Sequence, residues 1–210
     1  MTKNVDLTAE ETDSLTELLN IGYGRAAGAL SALTGYRIVL EVPQVGIHEI
    51  DAIGSALQSA INADAVTVQQ KFSGVVTGSA LVMLDQPSAL TLVRLLDEGA
   101  EPLERFDAHA TETITEVGNI VLNASLGAFA NFLKIRMEFQ VPLMRMDTAE
   151  NIITAIVTDS VERPWHGLMI HTRFTIKTTN VTGYMVIVLG TSSLDRLLRE
   201  LERWSAQPLD

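Results

Sequence analysis

The sequence contains no cysteine. That excludes a disulfide framework, a thiolate metal site and a cysteine nucleophile, and it suits a reducing compartment. Basic residues are scarce as well: 15 Lys and Arg stand against 26 Asp and Glu, for a net charge of -11. Phosphate backbones are held by clustered Lys and Arg, and no such cluster occurs, so a nucleic-acid binder is not expected. An acidic surface suits basic partners or plain solubility. Long apolar runs are missing too. The longest, Tyr184-Met185-Val186-Ile187-Val188-Leu189, is far too short to span a bilayer, and Met1-Thr2-Lys3-Asn4-Val5-Asp6 lacks the apolar core of a signal peptide. The expectation is a soluble, cytoplasmic protein without membrane insertion.

Metal-ligand spacing is also lacking. His48, His109, His166 and His171 share no helix face, so no metal site and no bound cofactor are expected. Trp165 and Trp204 are isolated and form no stacking platform with basic neighbours. Gly22, Gly24 and Gly28 resemble a phosphate loop only superficially. They sit inside a helical pattern rather than after a strand, which points to close helix packing.

What is present is a repeat. Asp13-Ser14-Leu15-Thr16-Glu17-Leu18-Leu19-Asn20 is echoed by Glu112-Thr113-Ile114-Thr115-Glu116-Val117-Gly118-Asn119, and in each copy twenty-two residues separate the asparagine from a proline, Pro43 or Pro142. Later segments match as well: Thr77-Gly78 with Thr182-Gly183, and the helix after Ser88 with the helix after Ser192. A period near one hundred residues is too long for a solenoid and means two related halves, about 7–100 and 106–206, of a single domain.

Each half reads as helix, strand, short helix, two strands, helix, an α+β class. Thr8 and Glu11 have capping-box spacing for a first helix that stops at Gly35. A strand over 36–42, a short helix over 51–60, and a hairpin of 65–72 and 75–84 turning at Ser73-Gly74 follow, then a helix with Pro87 at its start. The second half gives a helix over 107–132, a strand over 135–146, a short helix or loop after Ala149, strands over 166–177 and 181–189, and a last helix after Ser192. Three strands alone leave exposed edges, so the halves should join edge to edge into one continuous sheet around a pseudo-twofold axis. The stretch 98–102 is a short connection.

On a helix, Glu17 and Asn20 lie on neighbouring ridges of one face with Asp13 a turn earlier, while Leu15, Leu18, Leu19, Ala26, Ala27 and Leu30 fall mostly on the other side. The second copy does the same with Ile114, Val117, Val121 and Ala124 inward. A carboxylate and a carboxamide offer no nucleophile. An amide can, however, hold a water by donating to it and accepting from it, as Gln does in GTPases, and a carboxylate can anchor a Lys or Arg. The pair suits a site that a partner completes. One isolated copy would read as a solvated helix face; recurrence with both prolines favours function. Asn123, one turn past Asn119, has only Gly24 at the matching place and reads as incidental.

At these positions the chain resembles the CheC, CheX and FliY family of chemotaxis phosphatases, whose signature is Asp or Ser, three residues, Glu, two residues, Asn, twenty-two residues, Pro. The resemblance spans nearly the whole chain and includes Asn-Ile-Gly-Tyr-Gly from Asn20 and Val-Gly-Asn-Ile in the second helix. CheX-like proteins carry one motif and pair as dimers, and FliY-like proteins append a flagellar-switch domain; two motifs and no appended domain are most similar to CheC. The resemblance implies an α+β fold of two pseudo-symmetric halves, with a continuous sheet backing two exposed helices. It implies dephosphorylation of the phospho-aspartate of a CheY-type response regulator, with Asn20 and Asn119 orienting water and Glu17 and Glu116 binding the receiver's lysine. Asp13 and Glu112 would contact that partner, the receiver would hold Mg2+, and the chain would act as a monomer. The competing implication is a non-catalytic adaptor for phosphorylated receiver or for the receptor deamidase CheD. Two departures stand out. Glu112 replaces the usual Asp or Ser, and Leu19 stands where Gly118 precedes the second asparagine, a bulk expected to crowd the first site.

Overall fold

The computed structural model describes residues 7–61, 64–96, 106–132, 134–159, 166–176 and 179–205. The 98–102 connection and Trp165 lie outside them. The elements are α1 (Ala9–Thr34), β1 (Ile38–Glu49), α2 (Ile50–Ala60), β2 (Ala65–Gly74), β3 (Gly78–Asp85), α3 (Gln86–Leu96), α4 (Ala108–Phe132), β4 (Met137–Phe139), β5 (Leu143–Asp147), α5 (Ala149–Thr158), β6 (His166–Ile176), β7 (Thr179–Leu189) and α6 (Thr191–Ser205). The helix, strand, short helix, hairpin, helix order thus recurs, with the single strand of the second half split in two.

Among the described residues the strands form one antiparallel seven-stranded sheet, ordered β1-β6-β7-β3-β2-β4, with β5 also on β2. The two hairpins meet at β3 and β7, as an edge-to-edge join requires. The first strands do not stay with their own halves: β1 pairs with β6, and β4 and β5 pair with β2. The expected join of two three-stranded units is therefore corrected to an interleaved sheet.

Alternation along β3 explains the layering. Ala80, Val82 and Leu84 enter one apolar core with α1, α3, α4 and α6, while Leu81 and Met83 enter a second core under α2 and α5. Both faces of the sheet are covered, which is why the β3 and β7 runs are almost continuously apolar.

Local corrections have local causes. The hairpin turn lies at 75–77 rather than at Ser73-Gly74, because β2 continues to Gly74, whose φ of 132° only glycine adopts readily. The first strand runs on through Pro43 to Glu49 because a bulge absorbs the proline: Val42 and Pro43 together face Thr172, between the pairs Glu41–Arg173 and Gln44–His171. The second half solves the same problem differently. Residues 140–142 face only 70–71, so the ladder breaks around Pro142 and the expected strand 135–146 becomes β4 and β5. Each repeated proline thus sits at a one-residue excess in its strand.

Candidate functional site

Two long helices carry the repeated residues. The α1 N-terminus is fixed by a complete capping box: Glu11 N–H donates to the Thr8 hydroxyl at 3.2 Å, and Thr8 N–H donates to the Glu11 carboxylate at 2.7 Å. Gly35, at φ 74°, closes the other end, its N–H on the Ser31 carbonyl. α4 starts on Asp107, whose carboxylate accepts from Ala110 N–H at 2.8 Å.

Packing decides which ridges are outward. In α1 the residues Leu15, Leu18, Leu19, Tyr23, Ala26 and Leu30 are buried, and the Tyr23 hydroxyl is 2.6 Å from the Thr172 hydroxyl on β6. Burial pushes that phenol well above its ordinary range, with the Thr172 contact opposing in part. In α4 Ile114, Val117, Gly118, Val121, Leu122 and Leu126 are buried. The helices press together at Gly22, where an added Cβ would sit 2.9 Å from the Ser125 Cα. Gly24 and Gly28 have open space, so close packing holds for Gly22 alone among the three.

On the opposite ridge of α1, Asp13, Glu17 and Asn20 are all exposed. On α4, Glu112 and Glu116 are exposed and Asn119 is half-buried. Leu19 is fully buried in the core and so does not crowd the Asn20 ridge. Gly118 at the matching place answers a different demand, since a Cβ there would lie 2.5 Å from the Val68 Cβ of β2.

The two asparagines differ in surroundings. Among the described residues the Asn20 carboxamide has no hydrogen-bond partner. Asn119 has two: its Nδ2 donates to Glu116 Oε2 at 3.5 Å, and its Oδ1 accepts from Asn123 Nδ2 at 2.6 Å. Asn123 Oδ1 accepts in turn from Gln70 Nε2 at 3.1 Å, and the same Gln70 amide donates to the Gln140 carbonyl at 3.0 Å. Asn123 is therefore not incidental. Its partner lies on β2, 53 positions away, where helix periodicity carries no information.

No family model matches the chain. Over 167 residues it is 25% identical to a Bacillus subtilis protein named CheY-P phosphatase CheC, covering 78% of this chain and 79% of that one. Its fold superposes on Thermotoga maritima FliY with a TM-score of 0.74 at 19% identity, covering 94% of this chain and 98% of the other. The FliM middle domain from H. pylori superposes with a TM-score of 0.62 at 15% identity, covering 92% and 99%. The matches support the CheC, CheX and FliY family. No cluster of His, Asp and Glu capable of holding a metal occurs among the described residues, and no helix among them is long and apolar enough to cross a membrane. What the two ridges offer is carboxylate and amide groups facing outward from rigid helices, groups whose chemistry can bind and orient those brought by another molecule.

Proposed function

We propose that this chain is a phosphatase for the phospho-aspartate of a CheY-type response regulator. In this reading each helix ridge docks against the receiver's active site. Glu17 or Glu116 binds the receiver's lysine, with Asp13 or Glu112 contacting its surface nearby. Asn20 or Asn119 accepts from a water through its carbonyl and donates to it through its amide, setting that oxygen in line with phosphorus. The water's oxygen forms the new P–O bond as the aspartyl oxygen leaves, giving inorganic phosphate and free aspartate. The receiver supplies the aspartate and Mg2+, whose charge offsets that developing on the phosphoryl oxygens. Placement of one water accounts for a factor on the order of a hundred or more.

The observation carrying this reading is the recurrence of the Glu and Asn pair, outward on both packed helices, in a chain similar to a protein named a CheY-P phosphatase. The test is the decay of a phosphorylated CheY-type receiver with the intact protein and with Asn20→Ala, Asn119→Ala and the double variant. Acceleration that only the double variant abolishes supports two working sites. Binding of phosphorylated receiver without acceleration would instead assign an adaptor, and added CheD would then show whether the deamidase is the second partner.

A further inference from the structure

Four side chains connect the sheet to the Asn119 ridge in one direction. Gln70 is 2% exposed on β2, Asn123 and Asn119 follow on α4, and Glu116 ends the row. The ends fix its polarity. The Gln140 carbonyl and the Glu116 carboxylate can only accept, so each amide between them must present its nitrogen toward the Gln140 end or the Glu116 end in one consistent order. Gln70 Nε2 serves both Gln140 and Asn123, Asn123 Nδ2 serves Asn119, and Asn119 Nδ2 serves Glu116. Turning over any one amide would set oxygen against oxygen or nitrogen against nitrogen.

The Gln140 carbonyl is available to Gln70 because the ladder breaks around Pro142. That ties the repeated proline of the second half to the asparagine of its own repeat. After these bonds Asn119 retains one N–H and one carbonyl lone pair, the two groups a held water needs.

The first site has no counterpart. Gly24 occupies the place one turn past Asn20. The rung Phe72–Gly78 in the first hairpin corresponds to Thr172–Gly183 in the second, so the position matching Gln70 is Ile170, which is buried and apolar.

We propose that Gln70 and Asn123 are positioning residues that hold the Asn119 carboxamide in a single orientation, making the Asn119 site the faster of two unequal sites. The inference rests on the phosphatase reading for its rate and on the side-chain geometry for its ordering. An Asn119 amide released from the row samples several orientations, of which only a fraction is competent to hold water.

The test scores the second site alone, in an Asn20→Ala background, with phosphorylated CheY-type receiver as substrate. Asn123→Ala and Gln70→Leu should each lower kcat by about three- to tenfold with KM unchanged. Asn123→Asp has the same shape but no donor, so it faces Asn119 Oδ1 with another oxygen, and its kcat should fall further than that of Asn123→Ala. A merely structural role would not separate the Ala and Asp variants in that order. Side-chain amide NMR supplies the second readout: Asn119 Nδ2H2 should be ordered in the parent and mobile in Asn123→Ala. Values of kcat within twofold for all three variants overturn the proposal, as does an Asn119 amide equally mobile in parent and variant. A parent that never accelerates receiver decay, yet orders the Asn119 amide through Asn123, overturns the phosphatase reading and the rate difference while upholding the row.

Discussion

Gly118 of α4 lies against Val68 of β2 so closely that an added Cβ would stand 2.5 Å from the valine Cβ and 2.6 and 2.7 Å from its two methyl groups. This contact sets how near the Asn119 helix comes to the sheet. Alanine is the better helix former by about 1 kcal/mol, yet overlap of this depth should cost more. Gly118→Ala is expected to destabilise the fold by about 1–3 kcal/mol, and Val68→Ala added to it should recover part of the loss. Urea unfolding of both variants checks the sign.

The other helical glycines divide by the same argument. Gly28 and Gly127 would place a Cβ in open space, whereas Gly22 would place one 2.9 Å from the Ser125 backbone. Gly28→Ala and Gly127→Ala should each stabilise by about 0.5–1 kcal/mol. Gly22→Ala should destabilise by about 1–3 kcal/mol, because the facing atom belongs to the backbone and cannot swing aside. Thermal midpoints measured side by side would show the split.

Tyr23 predicts an alkaline weakness. Its phenol stays protonated in the fold well above the ordinary value because burial disfavours the phenolate. Once unfolded, it ionises near its reference pKa of about 10. The unfolded chain therefore binds fewer protons than the folded one above that pH, and stability falls as pH rises. Tyr23→Phe should remove this component of the decline while losing about 1 kcal/mol at neutral pH with the Thr172 bond. Unfolding at pH 8 and at pH 11 separates the two effects.

Asp147 predicts the opposite direction at low pH. The Asn151 amide at 2.8 Å and the Thr148 N–H at 2.7 Å hold its exposed carboxyl below the usual range. A lowered folded pKa contributes stability above the unfolded pKa that is lost as pH falls through the folded one. In Asn151→Ala the carboxyl should titrate closer to its ordinary value, as an NMR titration of Asp147 would record.

Local signals in the sequence are sufficient for much of this fold. Thr8 with Glu11 and Gly35 mark the ends of α1 because caps act within one turn, and the unbroken apolar run over 80–84 marks a strand covered on both faces. The outward ridge of Asp13, Glu17 and Asn20 follows from helix geometry alone. Partnership across the molecule is what the residues conceal. Nothing near 38–49 says that β1 will lie on β6, since that choice depends on how the two hairpins meet. Leu19 and Gly118 look like a difference in access to the site, yet one fills the core and the other makes room for Val68. Asn123 looks idle until β2 brings Gln70 beneath it.

The interleaved strands make each half structurally dependent on the other. Ile38 is paired with Ile176 and Ala65 with Asp147, so the outermost strand at either end of the sheet is secured by residues distant along the chain. Such long-range closure slows folding, because loop entropy is lost before these pairs form. It also means that a chain severed between Leu96 and Phe106 would give two fragments, each with unpaired strand edges that fit the other. Mixed together, they would reassemble as a split protein; kept apart, each would present open edges prone to aggregation.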